Sequence, residues 1–134
     1  MAKICELEGI GRTFANKLQN LGIDTTEALL QKGATPSARR RISSKTGIDE
    51  VLLLRWVNHA DLFRIQGIVE EYADLLRAAG INGTRDLRRQ KQELLHSKLM
   101  AISEATRLIQ RLPTRDQVGF WIREAKGLSR LVTL

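Results

Sequence analysis

The sequence predicts an all-α fold made from a duplicated helical unit, and three observations lead there. Hydrophobic residues make up 43% of the 134-residue chain but aromatics only 4%. The apolar set is mostly Leu, Ile and Ala, which favours helices over strands. Glycines, prolines and capping threonines recur at helix-length intervals, and no stretch alternates as a half-buried strand does. Most informative is an internal repeat. Gly9, Phe14, Leu18 and Gly22 recur as Gly67, Tyr72, Leu76 and Gly80, each at an offset of 58. Thr26 and Leu29 recur at the same offset as Thr84 and Leu87.

The elements follow in order. A first helix runs to about Leu7 and is broken by Gly9 and Gly11, since glycine permits a left-handed turn. A second helix starts near Thr13 and stops at Gly22, with Phe14, Ala15, Leu18 and Leu21 on one face. Gly22-Ile23 suits a glycine stop followed by its hydrophobic contact. Thr25 or Thr26 caps a short third helix ending at Gly33. Thr35-Pro36 reads as the cap and first residue of a fourth helix, ended by Gly47. Asp49 caps a fifth, Glu50 to about Arg64, which carries Leu53, Leu54, Trp56, Val57 and Ala60. It runs directly into the second copy, where Leu62 to Ile65 take the place of the first helix.

The second half replays the plan: a helix from about Val69 to Ala79, one from Arg85 capped by Thr84, segments at about Gln92–Met100 and Glu104–Arg111, and a last helix Arg115–Lys126 after Pro113-Thr114. Trp56-Val57 with Ala60 corresponds to Trp121-Ile122 with Ala125. That offset is 65, so about seven residues are inserted between Leu87 and Trp121. The expectation is one compact domain over 1–134, with repeat one at about 1–62 and repeat two at about 63–128.

Composition bounds the function. The net charge is +7, split as +2 over residues 1–62 and +5 over 63–134. A surplus of this size points to an anionic partner, or to a solvated basic surface that keeps the chain soluble. Cys5 is the only cysteine, which excludes a disulfide framework and a cysteine metal site; beside Ile4 and Leu7 it reads as a small core residue. No signal-peptide core opens the sequence, and Val51-Leu52-Leu53-Leu54 is too short to cross a bilayer. A cytoplasmic protein without a membrane partner is expected.

Leu7-Glu8-Gly9-Ile10-Gly11, followed by Arg12-Thr13-Phe14-Ala15, Leu18 and Gly22-Ile23, resembles the helix-hairpin-helix pattern. Two such hairpins resemble the tandem modules of DNA repair and recombination proteins. The resemblance implies two tandem repeats of about five helices each. Over nearly its full length the chain looks like the domain of unknown function 4332 family, frequent in cyanobacteria. That likeness rests on Gly9-Ile10-Gly11, the Ala79-Gly80-Ile81 turn, Trp56 with Ala60, and the ending Pro113-Thr114 to Trp121-Ile122 and Ala125-Lys126.

The hairpin has a physical logic. Glycines let another backbone approach, the first N–H groups of the next helix point outward, and the helix dipole adds positive charge there. A phosphate docks on such groups without any base being read. In the first copy Gly9, Ile10 and Gly11 form the turn, with Ile10 as an inward plug; Arg12 and Thr13 open the helix, Lys17 lies one turn on, and Asn16 adds a donor. Two readings stand side by side: a phosphate cradle, or simply a tight helix–helix connection. The second copy has Val69, Glu70 and Glu71 where the first has Gly11, Arg12 and Thr13, so it repels phosphate.

Basic clusters could extend the grip: Arg39, Arg40 and Arg41 with Lys45, then Arg85, Arg88 and Arg89 with Lys91. Arg107, Arg111 and Arg115 flank Pro113. Trp56 and Trp121 read as core packing. His59 and His96 have no ligand partners in register, the adjacent Glu70 and Glu71 diverge on a helix, and no phosphate loop or catalytic triad can be assembled. The expectation is therefore a non-catalytic module with no metal and no cofactor. It would bind nucleic acid, DNA through its phosphates, without sequence specificity. The alternative is a protein-interaction or assembly module that presents its basic face to an acidic partner.

Overall fold

A computed structural model of the chain describes residues 3–7, 9–106 and 111–134. The regular structure among those residues is helical, without strands; the single bridge pairs Lys3 with Thr25. The chain falls into two units, Met1–Asp61 with Leu131–Leu134, and Leu62–Arg130.

Unit 1 opens with a 3-10 turn at Ile4–Glu6, followed by α1 (Gly11–Asn20), α2 (Thr26–Lys32), α3 (Pro36–Thr46) and α4 (Glu50–Leu62). Local chemistry accounts for the boundaries. Thr25 and Thr35 accept the N–H groups of Ala28 and Ala38 at 3.1 and 3.2 Å, which caps α2 and α3. Asp49 accepts the Val51 N–H at 2.8 Å at the start of α4. Beyond α1, Gly22 donates to Gln19 and Ile23 to Leu18, both at 2.9 Å. This double closure needs the left-handed φ of +79° that Gly22 adopts. Leu18, Ile23, Leu29, Ile48, Leu53, Trp56 and Val57 are buried almost completely. Each such side chain contributes roughly 1.5–3 kcal/mol.

The predicted boundaries of unit 1 agree with these elements to within a few residues, and α4 stops at Leu62 rather than about Arg64. One placement is corrected. Cys5 is exposed, not a core residue. In a 3-10 turn residues i and i+3 share a face. Ile4 and Leu7 occupy the buried one, at 0% and 4% exposure, so Cys5 between them faces outward. The segment Leu131–Leu134 was not anticipated in this unit. Val132 is buried and Thr133 donates its N–H to Ala34 O at 2.9 Å.

Unit 2 contains α5 (Glu70–Ala78), α6 (Thr84–Leu87), α7 (Gln92–Thr106) and α8 (Arg115–Gly127) around a core that includes Leu75, Leu76, Leu87, Leu95, Leu99 and Trp121. The segments expected at Gln92–Met100 and from Glu104 are one continuous helix, since Ala101-Ile102-Ser103 contains no breaker. Arg107 and the rest of 107–110 lie outside the described residues, as does Glu8. Thr84 is not a cap but the first residue of α6, with Gly83 before it; it is buried. Thr114 does cap α8, in a reciprocal pair with Gln117.

The duplication is visible bond by bond. Leu7 N–H to Ile4 O, Ile10 to Leu7, Gly22 to Gln19 and Ile23 to Leu18 recur as Ile65 to Leu62, Ile68 to Ile65, Gly80 to Arg77 and Ile81 to Leu76. Paired distances agree within 0.1 Å, at 3.2 and 3.1, 3.3 and 3.2, 2.9 and 2.9, and 2.9 and 2.9 Å. The aromatic contacts recur too. Phe14 meets Trp56 at 6.0 Å between centroids, and Tyr72 meets Trp121 at 5.2 Å. Both tryptophans are buried, as core packing requires.

Candidate nucleic-acid interface

The Gly9-Ile10-Gly11 turn departs from its copy at one residue. Gly9 and Gly67 share a left-handed φ, +83° and +92°. Gly11 adopts φ +68°, whereas its counterpart Val69 is extended at φ −98° and 57% exposed. A Cβ on Gly9 or Gly11 would meet nothing within 4 Å. The glycines are therefore required by backbone conformation, not by crowding within the chain, and the space in front of them is open. Ile10 is 2% exposed and anchors the turn to the core, as expected of a plug.

Gly11, Arg12 and Thr13 open α1 and are exposed. The first N–H groups of any α-helix lack an intrahelical acceptor. In α2, α3 and α8 a threonine side chain supplies one. At the start of α1 there is no side-chain cap and no acid in the first turn, while α5 carries Glu70 and Glu71 there. The two helix starts thus have opposite electrostatic character.

Lys17 is exposed, and its Nζ donates to Thr46 O at 3.0 Å, the last residue of α3. Nζ also lies 6.0 Å from the Phe14 ring centroid. An ammonium has three donors, so this bond orients Lys17 and leaves others for solvent or a ligand. Asn16 is exposed on the same helix.

The arginine triplet on α3 divides, because successive helical residues point about 100° apart. Arg39 is 4% exposed and donates to Gly33 O at 2.8 Å and Thr133 O at 2.6 Å. It holds the loop after α2 and the C-terminal segment together and is not part of a surface cluster. Arg40 is exposed. Arg41 lines a cleft of about 450 Å³ together with Lys45 and Lys32. In unit 2, Arg88 and Arg89 are exposed and Arg85 is half-buried; with Arg130 they line a cleft of about 220 Å³. Lys32 and Arg130 are not legible in the sequence as members of these clusters, because they join them only through tertiary packing. Arg115 is in a hydrogen-bonded ion pair with Glu93. The bond from Arg115 holds the Glu93 carboxyl below its ordinary range, and the bond to Glu93 raises the guanidinium.

His59 is buried on α4, and His96 lies half-buried on α7. Among the described residues no three His, Cys, Asp or Glu side chains are grouped as a metal site requires, and no helix is long and apolar enough to cross a membrane.

No curated protein and no solved structure matches the chain significantly. The family model described as domain of unknown function (DUF4332) matches residues 8–128, and the chain belongs to that family.

Proposed function

We propose that the protein is a non-catalytic module of two tandem helix-hairpin-helix repeats that binds nucleic acid, DNA in the first place, by its phosphates and without sequence specificity. The observation that carries this reading is the exposed start of α1. It has two left-handed glycines, no side-chain cap and no acid in its first turn. Gly9, Gly11, Arg12 and Thr13 would present N–H groups to a phosphate, and Arg12 and Lys17 would add charge. The second hairpin, with Val69, Glu70 and Glu71, takes no part. A cytoplasmic setting suits such a module. Fluorescence anisotropy with a labelled duplex over a salt series tests it. Losing two phosphate contacts in an Arg12→Ala, Lys17→Ala variant should flatten the log–log salt slope by roughly 2. Unchanged duplex affinity in that variant, with an unchanged thermal midpoint, removes the hairpin from the mechanism.

A second reading is favoured by the acidic start of α5, which a two-handed DNA clamp would not contain. In it the repeats are an assembly scaffold with a basic face for an acidic protein. Capture of a stoichiometric protein partner that survives nuclease treatment supports that role.

A further inference from the structure

The cleft of unit 1 combines features that the hairpin does not use. Its floor comes from Leu21 and Ile23, on either side of the turn after α1, and from Ala38 and Ile42 on α3. Its charge comes from Lys32, Arg41 and Lys45. Residues 38, 41, 42 and 45 follow i, i+3, i+4, i+7 spacing, so one stripe of α3 supplies both apolar and cationic groups. Lys32 is held at the turn after α1 by its Nζ donating to Leu21 O and Gly22 O at 3.3 and 3.5 Å. The remaining lining side chains among the described residues, Gln31 and Thr35, are neutral, so three cations face the cleft with no carboxylate among its described lining residues.

We propose that this cleft is a docking site for an acidic segment of a protein partner, one that inserts an apolar side chain between flanking carboxylates. Charge complementarity selects the carboxylates, and the Leu21–Ile23–Ile42 floor selects the apolar anchor. A single-stranded nucleic acid fits less well, because no aromatic side chain is among the described lining residues to give a base a stacking platform. The cleft is open to solvent, as suits a peptide more than a small molecule that must be largely enclosed.

The inference rests on the protein-partner reading, and the test separates the two. Labelled ten-residue peptides of Glu and Asp around a central Leu, Ile, Met or Phe are titrated against the full chain, with a central Ser peptide and a thymidine oligonucleotide of equal charge as controls. At least one apolar peptide should bind tenfold or more tighter than the Ser peptide. An Arg41→Glu, Lys45→Glu variant should lose that binding at least tenfold, and Arg40→Glu, which changes an exposed cation outside the cleft, should lose little. Both side chains are exposed, and an Arg41→Gln, Lys45→Gln variant, which puts no acid at the end of α3, should keep its thermal midpoint and lose the binding as well. Absence of binding by all four apolar peptides overturns the proposal. So does equal binding by the Ser peptide, by the charge-reversed variant, or by the oligonucleotide at the same residues. A protein partner captured equally by wild type and by the charge-reversed variant would keep the partner reading and remove the cleft.

Discussion

Arg39 shows how far a single position can move from what its neighbours suggest. In sequence it belongs to a run of three arginines; in the fold it is a buried tether between Gly33 O and Thr133 O. Hydrogen bonds from a charged donor are worth about 1.5–3 kcal/mol each, and losing the donor leaves carbonyls unsatisfied. Arg39→Met should therefore destabilise the protein by about 3 kcal/mol in urea unfolding, whereas Arg40→Met should be close to neutral. Nothing in residue type separates the two arginines; only the angular position of each on α3 does. Gly33 makes a different point. A Cβ there would lie 2.8 Å from Val57 Cγ2 and 2.9 Å from Leu29 O, and a backbone oxygen cannot move aside cheaply. Gly33→Ala should cost at least about 1–3 kcal/mol by overpacking. The Glu93–Arg115 pair gives a pH effect with a definite sign. Since the folded Glu93 carboxyl lies below its ordinary value, its contribution is present above that value and fades as pH falls through the folded one. Both side chains are exposed, so the effect is small. The difference in thermal midpoint between wild type and Glu93→Gln should be visible at neutral pH and vanish in the acid limb.

At the scale of elements, most boundaries were readable because they depend on neighbours in sequence. Thr25, Thr35, Asp49 and Thr114 cap helices through side-chain oxygens that accept backbone N–H groups two or three residues on. Gly22 and Gly80 stop helices by a backbone conformation that few other residues adopt. The failures were of another kind. The split expected within Gln92–Thr106 has no breaker behind it, and the apolar neighbours of Cys5 do not bury it, because its turn has a three-residue period. The two hairpins offer a reciprocal experiment at this scale. On the proposed phosphate reading of the first hairpin, giving the second copy its residues, by Val69→Gly, Glu70→Arg and Glu71→Thr, should steepen the salt slope of duplex binding. The substitutions should also cost some stability, since two acids leave the start of α5.

At the scale of the whole molecule, the repeat explains more of the architecture than any single motif. The recurrence of four backbone hydrogen bonds and one aromatic contact per unit follows from residues that recur in the sequence. Legibility ends where the contacts are distant in sequence. Lys32 lines one cleft with Arg41 and Lys45, Arg130 lines another with Arg85, Arg88 and Arg89, and Leu131–Leu134 packs into unit 1. No local spacing encodes those meetings. They make the charge surplus of +7 a set of separate basic features with different neighbours, of which the hairpin is one.

The most direct measurement of the central claim is a backbone amide chemical-shift titration of the full protein with a short duplex, at low and at high salt. A phosphate held by the hairpin should move the Gly9, Gly11, Arg12 and Thr13 amides first and furthest, with the effect fading at high salt and the Val69, Glu70 and Glu71 amides still. Perturbations that leave the first hairpin untouched, while the duplex binds elsewhere on the molecule, would contradict it.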